Sequence, residues 1–501
     1  MDYASNPTPY FIQAEELLEF YRCRRLPYLQ RLGPQSEKLP TDDYLKQLRK
    51  ERLLLRERIQ QQHPGRVAAS QGDPLTAEQF RQLQQAPQPI YQATLAGSLE
   101  TDALSPPLSI ISQPDLLVWQ ANEAHYIPVE IRTGKRVKPD YELMLAIHAY
   151  VLGQLQGTTP LQGMVILRDE RWYGVNLRRR LAQVIVLLQE LWAALQSAEL
   201  PLVYMARSRC GLCSWRHHCR HLAVTRDPLT LLPGVTGSRY PLLRAAGISS
   251  VSDLASAKVR SLGALEGMGH KVAQQLIRQA QATLRQEAIW LHPPQLPQAN
   301  VELYFDVEGD PQQDVAYLLG VLLVDRGSQQ THYHPCLALS PAEEGEAWQA
   351  FLSLVTRYPT APIFHFHAFE VHTCQKLAER YGTPTPLLRS LVQRMVDLHD
   401  LVTQKVVLPV ESYSLKNIAR WLGFDWQQSD ANGAQSIYWY AQWIETQDYQ
   451  FMELSLTYNE DDCRATYLLK RWLEQRSVTP QIGSDPLGLP HALRSQSLAP
   501  P

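Results

Sequence analysis

No stretch of this 501-residue chain reaches the roughly 18 consecutive apolar side chains that a membrane-crossing helix needs, so no contact with a membrane is expected. The opening residues, Met1-Asp2-Tyr3-Ala4-Ser5-Asn6-Pro7, lack the basic and apolar regions of a secretory signal, and a cytoplasmic location is expected. An excess of charge is also missing. With a formal net charge of −2, the overall field does not announce nucleic acid. Any such contact must use local patches such as Arg178-Arg179-Arg180 or Arg207-Ser208-Arg209, whose alternative reading is a solvated helix face or loop. Cysteine is scarce, at seven residues, and only three of them lie close together. What remains, 45% hydrophobic and 20% charged, is ordinary globular composition, in a chain long enough for about two to four domains.

The densest chemistry lies in Val301-Glu302-Leu303-Tyr304-Phe305-Asp306-Val307-Glu308-Gly309. On a strand, residues two apart share a face, so Asp306 and Glu308 present two anionic ligands side by side, next to a glycine that leaves room. That pairing suits a hard divalent cation. Further on comes Tyr458-Asn459-Glu460-Asp461-Asp462; on a helix, Tyr458 and Asp462 stack one turn apart. The set resembles the DEDDy branch of the DnaQ-like 3′–5′ exonucleases, which have an RNase H-like fold. The resemblance implies that Asp306, Glu308 and Asp462 hold two Mg²⁺ or Mn²⁺ ions and that Tyr458 orients the attacking water. Its middle motif usually ends in Phe-Asp. The match here, His365-Phe366-His367-Ala368-Phe369-Glu370, ends in Phe-Glu, which makes Glu370 the third acid and leaves Asp397 as a competitor. Ser412–Ala419 resembles the helix before the last motif in polymerase-type exonuclease domains.

The clustered cysteines read Cys210-x-x-Cys213-x5-Cys219, a spacing that suggests a metal rather than disulfides. His217, His218 or His221 could complete a zinc site, and Cys23 could complete a four-cysteine site from far away. Phe20-Tyr21-Arg22-Cys23-Arg24 resembles the entry of iron–sulfur RecB-family nucleases. In these, one cysteine before the nuclease core and three after it hold a [4Fe–4S] cluster, and the resemblance implies that role for Cys23, Cys210, Cys213 and Cys219. Between the cysteine blocks, Ile90–Leu95, Pro114-Asp115 and Val129-Glu130-Ile131-Arg132 resemble a PD-(D/E)xK core, with Asp115 and Glu130 as magnesium ligands. Arg132 stands where the catalytic lysine belongs, and Lys135 could reach in from the next turn. Ala146 replaces the glutamine of the family's Gln-x-x-x-Tyr helix, and Glu51 and Glu57 are the candidates for its upstream acid. The segment Leu45–Gln62 reads as a charged helix, either on the surface of the first domain or as an insertion.

Residues 229–285 carry two glycine-rich turns, each followed by a helix: Leu232-Pro233-Gly234-Val235-Thr236-Gly237 and Leu265-Glu266-Gly267-Met268-Gly269-His270-Lys271. They resemble tandem helix-hairpin-helix motifs, which grip the nucleic-acid backbone without reading sequence. Gly234, Gly237, Gly267, Gly269 and Lys271 are the implied contacts.

The expected architecture is therefore α/β and multidomain. A PD-(D/E)xK nuclease-like core spans 1–225, a small all-α helix-hairpin-helix domain 226–290, a proline-rich linker 291–298, an RNase H-like α/β exonuclease domain 299–475 and a disordered tail 476–501. The order resembles RecB-like nucleases with an appended RNase H-like domain. It implies a metal-dependent nuclease, a 3′–5′ DNA exonuclease of repair or recombination. An RNA exonuclease and a non-catalytic scaffold of degenerate nuclease folds remain as alternatives. Neither a helicase nor a repair partner can be named from the sequence.

Overall fold

A computed structural model describes residues 11–67, 73–99, 108–197, 200–429 and 431–477. The tail expected from residue 476 lies outside these residues from 478 onward, and the last helix, Tyr449–Ser477, runs to the edge of the described chain. The opening heptapeptide also lies outside them.

The first domain is built around His125–Ile131, a strand buried along its whole length. It pairs antiparallel with Leu116–Gln120 and parallel with Gln162–Ile166. The parallel pair requires a crossover, supplied by the helix Pro139–Gln156. This helix is apolar on most sides because it lies between the six-stranded sheet and a second sheet of Phe11–Gln13, Leu95–Leu99 and Leu108–Ser112. The charged segment read as helical is the helix Asp43–Gln62. Its Leu55 and Ile59 enter the core beside Leu116, Val129 and Ile131, so it belongs to this domain.

Four helices follow: Arg239–Ala245, Val251–Ser256, Val259–Gly263 and Gly269–Arg285, closed over a small core that includes Leu243, Leu254 and Leu276. Gly234, Gly267 and Gly269 take left-handed φ angles of 88°, 68° and 64°, conformations that would strain other residues. Gly237 does not. The proline-rich segment 291–298 and the residues just before it are docked on the C-terminal domain. Ile289–Trp290 pairs with Val406–Val407, the Leu291 amide donates to the Lys405 carbonyl, and Pro294 is buried. The Gln279 side chain, also buried, donates to the Leu408 carbonyl at 2.7 Å and accepts from the Tyr413 hydroxyl.

The C-terminal sheet is ordered Gln330–Leu337, Val315–Asp325, Val301–Asp310, Ile363–His365, Met395–Asp397. The first three strands are antiparallel and the last three parallel. Alternation along Val301–Asp310 divides its side chains. Leu303, Phe305 and Val307 pack with Trp348 and Phe351 on one face. Glu302, Tyr304, Asp306 and Glu308 face the other way, toward the helix Tyr449–Ser477. Four contacts set the register of that helix. Lys470 Nζ meets Glu302 at 2.6 Å, the Tyr467 ring meets Tyr304 at 5.0 Å, Cys463 Sγ lies 3.4 Å from the Gly320 carbonyl beside Asp306, and Asn459 Nδ2 donates to Asp306 at 2.7 Å. About 16 Å of helix thus runs beside about 13 Å of strand. The segment Ser412–Ala419, which resembles the helix before the last motif, enters the helix Leu415–Trp421, and a further helix, Gly433–Thr446, stands between it and that motif.

Lys470 is fully buried between Glu302 and Glu474. Lys470→Met should therefore cost roughly 3 kcal/mol, since Glu302 keeps only Arg326 as a counter-charge. Guanidinium unfolding of the C-terminal domain measures this; a loss below about 1 kcal/mol would show that the pair does not hold the helix.

Candidate metal centre

Asp306, Glu308 and Asp462 offer carboxylate oxygens that all lie within 4.8 Å of one another, the one such cluster among the described residues. Strand alternation brings the first two together, and helical register brings the third. Gly309 has a different task from the one expected. The strand shifts register at Glu308/Gly309, and a Cβ on Gly309 would stand 2.8 Å from the Val315 carbonyl, so the glycine admits the neighbouring strand rather than an ion.

Several supporting residues were not visible in the sequence. Asn459, buried between Asp306 and Tyr333, donates to the first and accepts from the second. It fits because Gly320, paired with Asp306 across the sheet, has no side chain; a Cβ there would lie 1.6 Å from Asn459 Oδ1. Trp426 Nε1 donates to Asp462 at 2.8 Å. Ser436 bonds the Tyr317 hydroxyl and reaches Glu308.

Tyr458, on the same helical face as Asp462, hydrogen-bonds to its carboxylate. Glu370 lies outside the close trio, in the first turn of the helix Phe369–Arg380. It is nonetheless buried, its Oε2 has no hydrogen-bond partner, and His365 lies 3.5 Å away. Its rival Asp397 is spent as a cap: its Oδ1 accepts from the amides of His367, His399 and Asp400.

This gathering is anionic, with Glu308 and Glu370 buried and Asp306 and Asp462 partly exposed. Burial pushes Asp306 well above the ordinary carboxylate range, and Asp462, Glu308 and Glu370 push it further. Burial and Asp462 do the same to Glu308. Asp462 is pushed up to about 7 by burial, although Trp426, Tyr458 and Lys416 oppose the shift. Lys416 meanwhile donates to the Ala431 carbonyl and lies over the Trp426 ring. Oxygen ligands crowded in this way, short of counter-charge, fit a divalent cation.

The first domain's acid pair departs from expectation. Asp115 and Glu130 do come together, and both are buried. Guanidinium groups occupy them: Arg52 meets Asp115 at 2.7 Å, Arg56 also pairs with Asp115, and Arg132 pairs with Glu130. His148 bonds Glu130 at 2.8 Å. Burial works to raise Glu130, yet Arg132, His148 and Arg52 overcome it and hold the carboxyl at about 2. Neither Glu51 nor Glu57 supplies an upstream acid: Glu57 is exposed, and Glu51 bonds Gln47. Lys135 does not reach the pair, because its ammonium sits 2.7 Å from Asp314 of the C-terminal domain. Lys135 therefore stands away from Asp115 and Glu130, whose counter-charges here are guanidinium groups. The arginines come from helix Asp43–Gln62 and from position 132, where lysine was expected.

Cys23, Cys210, Cys213 and Cys219 gather closely enough for their charges to influence one another. Burial, opposed by Arg25 and aided by the other three sulfurs, pushes Cys219 up to about 12. Of the candidate zinc histidines, His218 bonds Glu37 at 2.7 Å, and His217 and His221 are exposed. The arginine patches are partly engaged: Arg180 pairs with Glu142, and Arg209 donates to the Arg22 carbonyl. Lys271 is exposed at the start of helix Gly269–Arg285.

Comparison with known families agrees with this geometry. Residues 303–474 match the RNase_H superfamily model, and residues 227–282 match the SAM-like helix-hairpin-helix tandem. The chain thus contains an RNase H superfamily domain and a tandem helix-hairpin-helix domain. These domains point to nuclease or nucleic-acid-binding function in general. No curated protein matches the chain. Among solved structures, one titled "Crystal structure of SSO0001" aligns at 14% identity over 42% of this chain and 86% of its own, with a TM-score of 0.25.

The two acid sites should respond oppositely to pH. Glu130, held at about 2, stabilises the first domain above its unfolded value of 4.5, and that contribution is lost as pH falls toward about 2. Asp462, raised to about 7 in the metal-free protein, contributes stability below its unfolded value of 3.8, lost as pH rises through about 7. Calorimetry in chelator should show the C-terminal transition weakening from about pH 5 to about pH 8, and Mn²⁺ restoring it most at the higher pH. A C-terminal transition indifferent to both would contradict the assignment.

Proposed function

We propose that this chain is a divalent-metal-dependent nuclease whose chemistry occurs at Asp306, Glu308 and Asp462, with Glu370 as the fourth acid. The observation that carries the reading is the convergence of three carboxylates within 4.8 Å with no ion-paired cation among them, in a chain whose other acid pair arginines neutralise. When bound, Mg²⁺ or Mn²⁺ would activate water and stabilise both the attacking and the leaving oxygen of a phosphodiester. The protein's part is to hold the ligands and place the water. Asn459 and Trp426 each fix one carboxylate oxygen, on Asp306 and Asp462, and so orient two of the acids that would hold the ion. Tyr458, anchored to Asp462, orients the attacking water.

The resemblance to DEDDy enzymes supports 3′–5′ exonucleolytic cleavage, with DNA in repair or recombination as the substrate and setting and a cytoplasmic location. The tandem helix-hairpin-helix domain, with Gly234, Gly267, Gly269 and the exposed Lys271, would grip the backbone. We read 1–225 as a nuclease-like core that serves as a scaffold rather than as a second catalyst, because Arg52, Arg56 and Arg132 stand where a cation would bind. Cys23, Cys210, Cys213 and Cys219 fit a [4Fe–4S] cluster better than zinc. Four sulfurs gather, from one cysteine before the first domain's core and three after it, and His218 bonds Glu37 instead.

Asp306→Ala and Asp462→Ala, each alone, should abolish Mg²⁺-dependent release of nucleotides from end-labelled DNA, whereas Glu130→Gln should leave it within a few-fold of wild type. Labelled RNA run in parallel decides between the polymers. Full activity in either aspartate variant would overturn the site, and loss confined to Glu130→Gln would move the chemistry to the first domain. Anaerobically purified protein should be brown, and Cys23→Ser should bleach it; a colourless protein holding one zinc would refute the cluster.

A further inference from the structure

Beside the acid centre, the two nuclease-like halves share a concentration of positive charge. The turn between strands Val301–Asp310 and Val315–Asp325 carries Asp314, which has a left-handed φ of 63°. Its carboxylate meets Lys135 at 2.7 Å, Lys376 at 2.5 Å and Arg380 at 2.6 Å. Lys135 comes from the first domain, in the loop after strand His125–Ile131; the other two come from helix Phe369–Arg380. Arg380 also pairs with Glu344. Three cations thus meet two carboxylates, and one of those, Glu344, is buried. Arg136 and Lys138, both exposed, extend the excess along the same loop. The side chains of Lys135 and Lys376 are nearly half exposed, at 44% and 46%.

The location is as informative as the charge. Asp314 lies in the hairpin turn just past the end of the acid strand, so the cluster sits on the order of 10–15 Å from the metal ligands. Helix Phe369–Arg380 gives a similar answer by another route. Glu370 is in its first turn, and Lys376 and Arg380 stand about 9 and 15 Å further along it. A polyanion approaching buried carboxylates is repelled unless cations hold it nearby.

We propose that Lys135, Lys376 and Arg380 form an interdomain seam that binds the phosphodiester backbone of the strand being cut, a few nucleotides from its end. The inference rests on reading the acid centre as the cleavage site. Asp314 then serves as a fixed spacer that keeps three like charges together until phosphate arrives. The seam also gives the first domain a part in substrate binding without any catalysis of its own.

The rival is a plain salt latch between domains, and the two ideas differ in sign. Binding of a short fluorescent oligonucleotide to the full-length chain is measured in chelator across a salt series. Lys135→Gln should weaken binding several-fold at low salt and reduce the magnitude of the salt slope by about 0.7. Asp314→Asn should tighten binding, because it removes a competing anion, and asparagine tolerates the left-handed backbone. A latch alone predicts weaker binding in both variants or no change in either, and each of those results would overturn the seam. DNA and RNA should respond alike, because phosphate is common to both; a response confined to one polymer would exclude backbone recognition. Hydrolysis of the p-nitrophenyl ester of thymidine 5′-phosphate by the wild-type chain, with Mn²⁺, tests the acid centre separately. Its absence would remove the cleavage reading and leave the binding result to be judged on its own.

Discussion

Everything at the acid centre depends on the register between one helix and one strand. Lys470 and Glu302 pin the far end of that contact, and Asn459 and Asp306 pin the near end. A slip of one residue along Tyr449–Ser477 would rotate Asp462 by about 100° away from Glu308 and strand the Lys470 ammonium in an apolar layer. The buried ion pair is therefore better understood as a specifier of alignment than as a source of stability. It makes the wrong registers costly, and the right register is the one in which three carboxylates meet.

The chain also holds two acid pairs with opposite fates, and the difference lies in what the neighbouring elements bring. Around Asp115 and Glu130, the helix Asp43–Gln62 and position 132 supply guanidinium groups, and His148 adds an imidazole. Around Asp306 and Glu308, the neighbours are further carboxylates, an amide, an indole and hydroxyls. The first arrangement is electrostatically complete. The second has donors but no ion-paired cation, an arrangement that suits a cation from solution. The same helix Asp43–Gln62 touches both halves: its inner face carries Arg52 and Arg56 to Asp115, while Lys50 meets Glu445 on the helix beside the acid centre.

What could be read in the sequence followed periodicity. Asp306 and Glu308 share a strand face, Tyr458 and Asp462 share a helix face, and the glycines of the hairpins mark turns, all because these relations are local. The helix-hairpin-helix and RNase H-like domains were legible because such local motifs resemble those of known families. What escaped notice involves long separations in sequence. Asn459 reaches Asp306 only because Gly320, on a different strand, is bare, and nothing near either residue signals this. Arg52 and Arg56 lie in a segment read only as a charged helix, and the fold sets them against Asp115. Lys135 was assigned to its own domain by proximity in sequence, whereas its partner Asp314 is in the other. Spacing rules carry no information about which surface a long, flexible cation will cross to.

The docked segment after the helix-hairpin-helix domain has a mechanical meaning. Ile289–Trp290 adds a short pairing to Val406–Val407, and the buried Gln279 amide is tied to the Leu408 carbonyl. Swinging the domain about this joint would break the pairing and leave a buried amide unsatisfied, a cost of about 1–3 kcal/mol for that group alone. The joint is thus a weld rather than a hinge. A backbone held by the hairpin turns would stay at a fixed offset from the acid centre, like a workpiece in a vice bolted to the same bench as the blade.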